Sequence, residues 1–457
     1  MALDTQLMDQ LAENNEKDES QHITDLRIAR NYKQFYQENK NGSKSFLHEK
    51  FAKALVQHYH IITLDEQLHI YNDGVYKPSE MDIRRACITE LPALKQAQIR
   101  EVLEYARLIA PEKEHASPYL VPLLNGVYDL QSKELLDFTP EIIATSKINA
   151  KYDPDASAST SAEIVNHALL TIANEDLEVL QLFLEMVGYV LFKKNFLDKA
   201  FLLVGNGGNG KSTFMNMLSS FVGEENVSAV SLSGLSERFN VAELHHKLLN
   251  AGDDIPLQTI KDASNFKKLA TGERITAERK GQDPFTFRNY SKLIFSANDV
   301  PRWFENNNGI FDRIVIVPLN AQLRNSKKRD PFLESKITTE EARSHLLNLG
   351  LRELSKLLKE RRFTIPVVST QRMEEFKTDN NPILSFLAEY EVHDQPISEV
   401  YTKYQKWCEI EGFKFPLPRS TFTKSVLAVG YEKSKRRLDN YHNPQWCFTK
   451  FMTKDEL

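Results

Sequence analysis

Gly205-Asn206-Gly207-Gly208-Asn209-Gly210-Lys211-Ser212 fills the pattern G-x-x-x-x-G-K-[ST] in full, directly behind the apolar run Ala200-Phe201-Leu202-Leu203-Val204. The run predicts a strand, the glycines a turn, and Lys211-Ser212-Thr213-Phe214-Met215 the opening of a helix. A turn whose backbone N–H groups converge on phosphate oxygens needs glycine, because a Cβ there would stand in the way. The helix N-terminus adds partial positive charge at the same spot. Lys211 is placed to reach the β- and γ-phosphates and Ser212 to hold Mg²⁺. The stretch from Gly205 to Thr213 is therefore read as a site for a nucleoside triphosphate with Mg²⁺.

Around this loop the chain is ordinary in composition, with 457 residues, 41% hydrophobic and 26% charged. That length suffices for roughly three domains. Three cysteines, Cys87, Cys408 and Cys447, are far apart and show no C-x-x-C pairing. This argues for a reducing compartment and against structural zinc. The N-terminus is acidic rather than basic, and no apolar run approaches the roughly 18 residues of a membrane span. A cytoplasmic protein, in a bacterial host, without membrane contact, is expected. The net charge of −5 averages over a patterned chain: residues 1–20 carry six acids against one lysine, while Lys424 to Arg437 carries five bases against one acid. A whole-chain charge of this sign does not exclude a local basic surface.

The organisation expected from these patterns has five parts. Residues 1–45 read as an acidic, flexible tail. Residues 46–152 read as a mixed α/β domain, with hairpin turns at Asn72-Asp73-Gly74 and Gln131-Ser132-Lys133 and a helical stretch from Met81 to Ala110. The small, polar, proline-containing stretch 153–162 reads as a linker. In 163–378, strands and helices alternate, the signature of a mostly parallel sheet. The last part, 379–457, reads as a separate small domain. Leu177, Leu180, Leu184, Val187 and Leu191 recur at helical spacing and are assigned to core.

Four further segments carry candidate chemistry. Lys247-Leu248-Leu249-Asn250-Ala251-Gly252-Asp253-Asp254 is a short apolar run ending in two carboxylates. An ATPase needs one acid at a strand end for the Mg²⁺ shell and often a second to polarise the attacking water. Which of Asp253 and Asp254 takes which role is open. Next, Phe266 to Phe287 reads as a helix bearing Lys268, then two strands meeting at Arg279-Lys280-Gly281. A hairpin tip with two cations suits a DNA backbone, although basic residues are also normal in solvated turns. Lys292-Leu293-Ile294-Phe295-Ser296-Ala297-Asn298 ends a strand in an amide able to sense a γ-phosphate; an asparagine there is otherwise a turn former. Finally Arg313 precedes the strand-like Ile314-Val315-Ile316-Val317-Pro318 and suits phosphoryl-transfer charge in a neighbouring subunit, although taken alone such an arginine is more often a surface ion-pair residue.

In this order, the loop, acid pair, cationic hairpin, strand-ending asparagine and downstream arginine resemble a superfamily 3 helicase. In detail they resemble the phage and plasmid primase-helicase family that includes the poxvirus primase-helicases. The resemblance runs from about Leu64 to Phe448 and takes in Asn125-Gly126-Val127-Tyr128-Asp129-Leu130, Tyr152-Asp153-Pro154, Gly188-Tyr189-Val190-Leu191, and Phe239 before Leu244. It is densest from Gly205 to Pro318. It implies a hexameric ring of AAA+ P-loop modules, ATP bound between subunits, and Lys280 hairpins in a central channel. Two departures stand out. The family commonly shows paired arginines where this chain has Asp312-Arg313. Upstream of the linker there is neither an Asp-x-Asp pair nor a cysteine cluster, so priming is not expected here. The stretch from Ile397 to Phe448, with Val400-Tyr401-Tyr404-Trp407 on one helix, Pro418 to Leu427 on a second and a basic turn ending at Trp446, resembles a winged helix. Its candidate DNA contacts are Arg419, Lys424, Arg436 and Arg437.

The expected function is thus an ATP-dependent helicase of phage or mobile-element replication, acting on single-stranded and forked DNA. A separate primase or a host replication protein is a possible partner. A nucleotide-switched origin-binding or helicase-loading protein is the competing class, separated from it by DNA-stimulated turnover with unwinding. A small-molecule P-loop kinase fits worse, for want of an acceptor-binding lid.

Overall fold

Strands that are apolar along their whole length, such as Ala200-Phe201-Leu202-Leu203-Val204, bury both faces, and that is how parallel sheets are built. The computed structural model describes residues 30, 31, 33–253, 260, 262–301, 303, 308–323, 330–379, 381–410 and 416–450. The chain divides into two compact units, Met1–Tyr152 and Asp153–Leu457.

The first unit includes a hairpin of β1 (Tyr36–Glu38) and β2 (Lys44–Phe46). The polar composition of residues 1–45 predicts a flexible tail, and for 36–45 the structure corrects this. Phe35 and Phe46, spaced so that both turn inward, pack on Phe51 of the helix His48–His58, and Gly42 at φ +75° closes the turn. Two three-stranded antiparallel sheets follow: β3 (Ile62–Leu64), β4 (Gln67–Asn72) and β5 (Val75–Lys77), then β6 (Leu120–Leu123), β7 (Gly126–Asp129) and β8 (Glu134–Leu136). The Asn72-Asp73-Gly74 turn forms as expected, with Asp73 and Gly74 at φ +48° and +79°. The helical stretch expected from Met81 to Ala110 is two helices, Glu80–Glu90 and Gln96–Ile109. Pro92 is the reason: it drives Leu91 out of the helical region, to φ −143° and ψ 87°.

The second unit is a mixed α/β assembly around one parallel five-stranded sheet. Its strands are β9 (Ala200–Val204), β10 (Val227–Ser228), β11 (Leu249–Gly252), β14 (Lys292–Ala297) and β15 (Ile314–Pro318), in the order β10-β11-β14-β9-β15. Two strands outside that sheet, β12 (Arg274–Ala277) and β13 (Phe285–Arg288), form an antiparallel hairpin. On one face of the sheet, Leu202, Phe295 and Ile316 join Phe266, Leu269, Trp303 and Phe376 in a continuous core. Phe201, alternate along β9, meets Phe363 edge-on at 5.1 Å, while Phe183 stacks on Phe214 at 4.3 Å. Lys292, at the start of β14, is buried. Its ammonium donates to Asn195 Oδ1 (2.7 Å) and to the carbonyls of Lys194 and Tyr290 (3.0 Å each), and it lies 4.3 Å from the Tyr189 ring centroid. Burial pushes its pKa well below the ordinary lysine value.

The helices Leu177–Val190 and Glu340–Glu360 cross closely at Gly188 and Gly350. A Cβ on Gly188 would stand 2.7 Å from both Gly350 O and Leu354 N, which are backbone atoms and cannot swing aside. Gly188→Val is therefore expected to destabilise this unit by roughly 3 kcal/mol, a fall of about 5–10 °C in its melting temperature by calorimetry.

At the C-terminal end, Asn381 caps the helix Pro382–Glu389 through Ile383 N (2.9 Å) and Leu384 N (3.3 Å). Helices Ile397–Ile410 and Arg419–Ala428 and the antiparallel pair β16 (Tyr431–Arg436) and β17 (Gln445–Lys450) follow. Bridges His393 to Phe448 and Pro396 to Cys447 lay the preceding segment along β17. Phe386, Tyr404, Trp407, Phe422 and Phe448 form the core here. All three cysteines are free and buried, and burial pushes their thiols up, that of Cys87 to about 12. Among the described residues no helix is long and apolar enough to cross a membrane.

Candidate functional site

The glycine-rich loop leaves β9 at Gly205 and ends at Gly210, which caps the helix Lys211–Val222 in a left-handed conformation, φ +90° and ψ 4°. Gly208 is also left-handed, at φ +86°. The glycines are required sterically as well. A Cβ on Gly205 would lie 1.9 Å from Asn209 Nδ2 and 2.5 Å from Leu319 O, and one on Gly210 would lie 2.7 Å from Ile172 Cγ1. Asn209, 4% exposed, pins the loop by donating to Leu319 O at 2.7 Å, and Leu323 N donates to Gly208 O at 2.9 Å. Lys211 is buried in the curl, its ammonium donating to Gly205 O and to Asn209 Oδ1 (3.2 Å). Asn206, Gly207 and Gly208 are exposed at the rim; Ser212 is exposed and Thr213 half-buried in the first helical turn. A cradle of this shape at a helix N-terminus fits a polyphosphate.

The strand order decides what stands beside the loop. In parallel register, Ala297 pairs with Val204 and Phe295 with Gly252, so the ends of β11, β14 and β9 lie along one edge of the sheet. Gly205 N donates to Ala297 O at 3.2 Å, which places Asn298, exposed and one residue further on, directly alongside the loop. Asp253, one residue past β11, is exposed and accepts from the hydroxyl of Ser296, itself 1% exposed in β14. Asp254 lies outside the described residues. Ser212 and Asp253 offer hydroxyl and carboxylate oxygens, the donor chemistry of a hard cation such as Mg²⁺. The turn carrying Asn298 is anchored from outside: Asp299 pairs with Arg372 Nη2 at 2.5 Å, and Arg372 Nη1 with Glu375 at 2.8 Å, on the helix Val367–Asp379.

Arg313 sits at the other end of the sheet. It precedes Ile314, which pairs with Ala200 at the start of β9, so about 16 Å of strand separates it from Gly205. An arginine side chain does not span that distance. Its Nη1 donates to Gly309 O at 2.7 Å, and its buried Nε has no hydrogen-bond partner among the described residues. Beside it is a residue that the sequence analysis missed. Lys199, immediately before β9, donates to Asp312 O. Burial pulls its ammonium below the ordinary lysine range; Asp312 and Asp198 oppose this and Arg313 adds to it. Two cations thus gather at the edge remote from the loop. The signal in the sequence was a lysine at the head of the loop strand, legible only once that strand is paired with β15. Ser296, second from the end of β14, was likewise missed.

The hairpin cations differ from one another. Lys280 is exposed at the tip, next to Gly281 at φ +75°, and Lys268 is exposed on the helix Ser264–Thr271. Arg279 is half-buried, over the Phe285 ring at 4.7 Å and 3.4 Å from His245 Nδ1. It anchors the hairpin, while Lys280 presents charge. In the C-terminal part, Arg419, Lys424 and Arg437 are exposed, whereas Arg436 is paired with Asp394 at 3.3 Å.

Comparisons with known proteins add family and fold. Three family models match along the chain: "D5 N terminal like" over residues 6–170, a family of unknown function (DUF5906) over 203–313, and "Poxvirus D5 protein-like" over 378–453. A protein named as a helicase in Invertebrate iridescent virus 3 is 23% identical over 45% of this chain and 23% of its own length. One so named in Acanthamoeba polyphaga mimivirus is 24% identical over 44% of this chain and 22% of its own length. The DNA primase-polymerase of Nitratiruptor phage NrS-1 is 23% identical over 30% of this chain and 20% of its own length. The chain thus covers less than a quarter of each of these relatives. Two apo structures of the NrS-1 C terminal region share the fold, at TM-scores of 0.51 and 0.50, with 13% and 14% identity, covering 88% of this chain and 98% and 99% of theirs.

Proposed function

We propose that this chain, a member of the poxvirus D5-like primase-helicase family, is an ATP-driven DNA translocase of viral or mobile-element replication that works as a ring. The single observation that carries the reading is the sheet order. It sets Asp253 and Asn298 beside the glycine-rich loop and sends Arg313, with Lys199, to the opposite end, an arrangement that is complete only when a second copy lends its cations. An AAA+ core with a winged-helix appendage is the matching architectural reading: the parallel five-stranded sheet supports the core, and the three helices followed by a hairpin from Pro382 to Lys450, with bridges from His393 and Pro396 to β17, support the appendage. The viral relatives named as helicases favour the same activity.

In this mechanism the loop N–H groups and Lys211 hold the β- and γ-phosphates. Mg²⁺, when bound by Ser212 and Asp253, supplies neutralising charge across those phosphates. The Ser296 hydroxyl fixes the Asp253 carboxylate; Asp254 is assigned the second acid's role toward the attacking water. Asn298 hydrogen-bonds the γ-phosphate or that water, and its turn, tied to Arg372, relays the outcome. Arg313 and Lys199 reach the γ-phosphate of the neighbouring copy, and a hexamer is the expected closed assembly. Lys280, with Lys268 behind it, tracks the phosphates of one strand.

The test is ATP hydrolysis with and without single-stranded DNA, beside strand displacement on a forked duplex. DNA-stimulated hydrolysis with displacement is expected. Hydrolysis indifferent to single strands, with no displacement, would instead identify a nucleotide switch that loads another motor. Within that assay, Lys280→Ala should keep basal hydrolysis and lose most of the DNA stimulation, and the salt dependence of binding should fall by roughly 0.7 in slope per subunit contact. Stimulation that survives the substitution assigns strand contact elsewhere.

A further inference from the structure

Trp446 is 48% exposed on β17, although the next two residues, Cys447 and Phe448, are both fully buried. It pairs directly with Lys435 across the hairpin, and Lys433 lies two residues along on the same face. Their ammonium groups stand 5.4 Å and 5.1 Å from the indole centroid. Neither lysine forms an ion pair among the described residues. Two other cations of these strands do: Arg436 pairs with Asp394 at 3.3 Å and Lys450 with Glu391 at 3.9 Å, while Arg437 at the turn is exposed. At its turn end this face, which further along buries Phe448 against the core, therefore presents an exposed indole with two cations beside it that form no ion pair among the described residues. Of the other strand cations, Arg436 and Lys450 are paired with carboxylates of the preceding segment.

We infer that this face is a single-strand site, in which the Trp446 indole stacks on an unpaired base while Lys433 and Lys435 contact the flanking phosphates. A base on an indole gains more than a lysine resting on an exposed ring, so the base displaces the ammonium groups from the ring. The released ammonium groups are already within reach of the neighbouring backbone. An acidic peptide would use the lysines and leave the indole idle. A duplex could meet candidate contacts such as Arg419 and Lys424 but offers no open base face. The site is separate from the Lys280 hairpin and binds without ATP, resting on the helicase reading only in that its ligand is DNA.

The experiment titrates the full chain, without nucleotide, with an oligothymidylate and with an abasic phosphodiester strand of equal length, following tryptophan emission. Of the three tryptophans, Trp303 and Trp407 are each 3% exposed, so quenching by a stacked base comes from Trp446. Emission should fall with oligothymidylate and not with the abasic strand. In a Lys280→Ala background, Trp446→Ala should weaken oligothymidylate binding about tenfold and leave abasic binding unchanged, while Trp446→Phe keeps most of the affinity. Lys433→Gln with Lys435→Gln should weaken both strands alike. Circular dichroism checks that the variants fold. Equal quenching by the abasic strand, or wild-type affinity in Trp446→Ala, would overturn the inference and leave a charged surface only. Failure of ATP hydrolysis would not touch this assay, so the two readings fall separately.

Discussion

Lys211→Ala should reduce ATP hydrolysis by on the order of 10³-fold while leaving the melting temperature close to that of the parent. The expected size follows from what the ammonium does. On the proposed reading this buried ammonium is a fixed cation beside phosphates whose charge redistributes in the transition state, and losing one such donor typically costs about 10²–10³ in rate. Lys211 also draws the loop together through Gly205 O and Asn209 Oδ1, so its loss loosens nucleotide binding as well. The fold should survive, because the loop is held independently by Asn209 on Leu319 O and by Leu323 N on Gly208 O. Steady-state hydrolysis and calorimetry on the same preparation check both halves. Hydrolysis within tenfold of the parent would remove the loop from the reaction.

The loop could be read in advance because its chemistry is contiguous: the glycines, Lys211 and Ser212 carry their constraints in one run of sequence. The parallel sheet was also legible, since runs such as Ile314-Val315-Ile316-Val317-Pro318 have no polar face to offer solvent. The strand order was not. Nothing local to β11 or β14 says that β14 lies between the loop strand and Asp253, and only that order brings Asn298 to the loop and Ser296 onto Asp253. Lys199 was passed over for the same reason, because its relation to Arg313 exists only through the β9–β15 register. Arg279 and Lys280 read alike as a basic turn, yet one packs on Phe285 and the other faces solvent. Composition hides that difference, since it depends on which side of the hairpin each residue turns to. The 36–46 hairpin was lost to the polarity of its turn, Asn39 to Gly42, which outweighed the two inward phenylalanines.

Arg313→Ala should cost about 10³-fold or more in hydrolysis, the usual weight of a cation that neutralises transferring phosphoryl charge. Mixing should then recover activity that neither variant has alone. An Arg313→Ala subunit keeps its loop; a Lys211→Ala subunit keeps its arginine and Lys199. Where the second sits against the first, one complete site forms between them. Random mixing at equal amounts puts the intact loop and the intact arginine together at roughly a quarter of head-to-tail contacts. Hydrolysis near that fraction of the parent rate is therefore expected if sites act independently. If Arg313 served the loop of its own chain, every subunit in the mixture would carry a broken site and the mixture would stay inactive. The distance argument favours the first outcome, because Arg313 and Gly205 lie at opposite ends of neighbouring strands. Adding Lys199→Ala to the Lys211→Ala partner refines the result. A further fall in the recovered rate would assign both cations to the neighbour's phosphates; an unchanged rate would leave Arg313 acting alone.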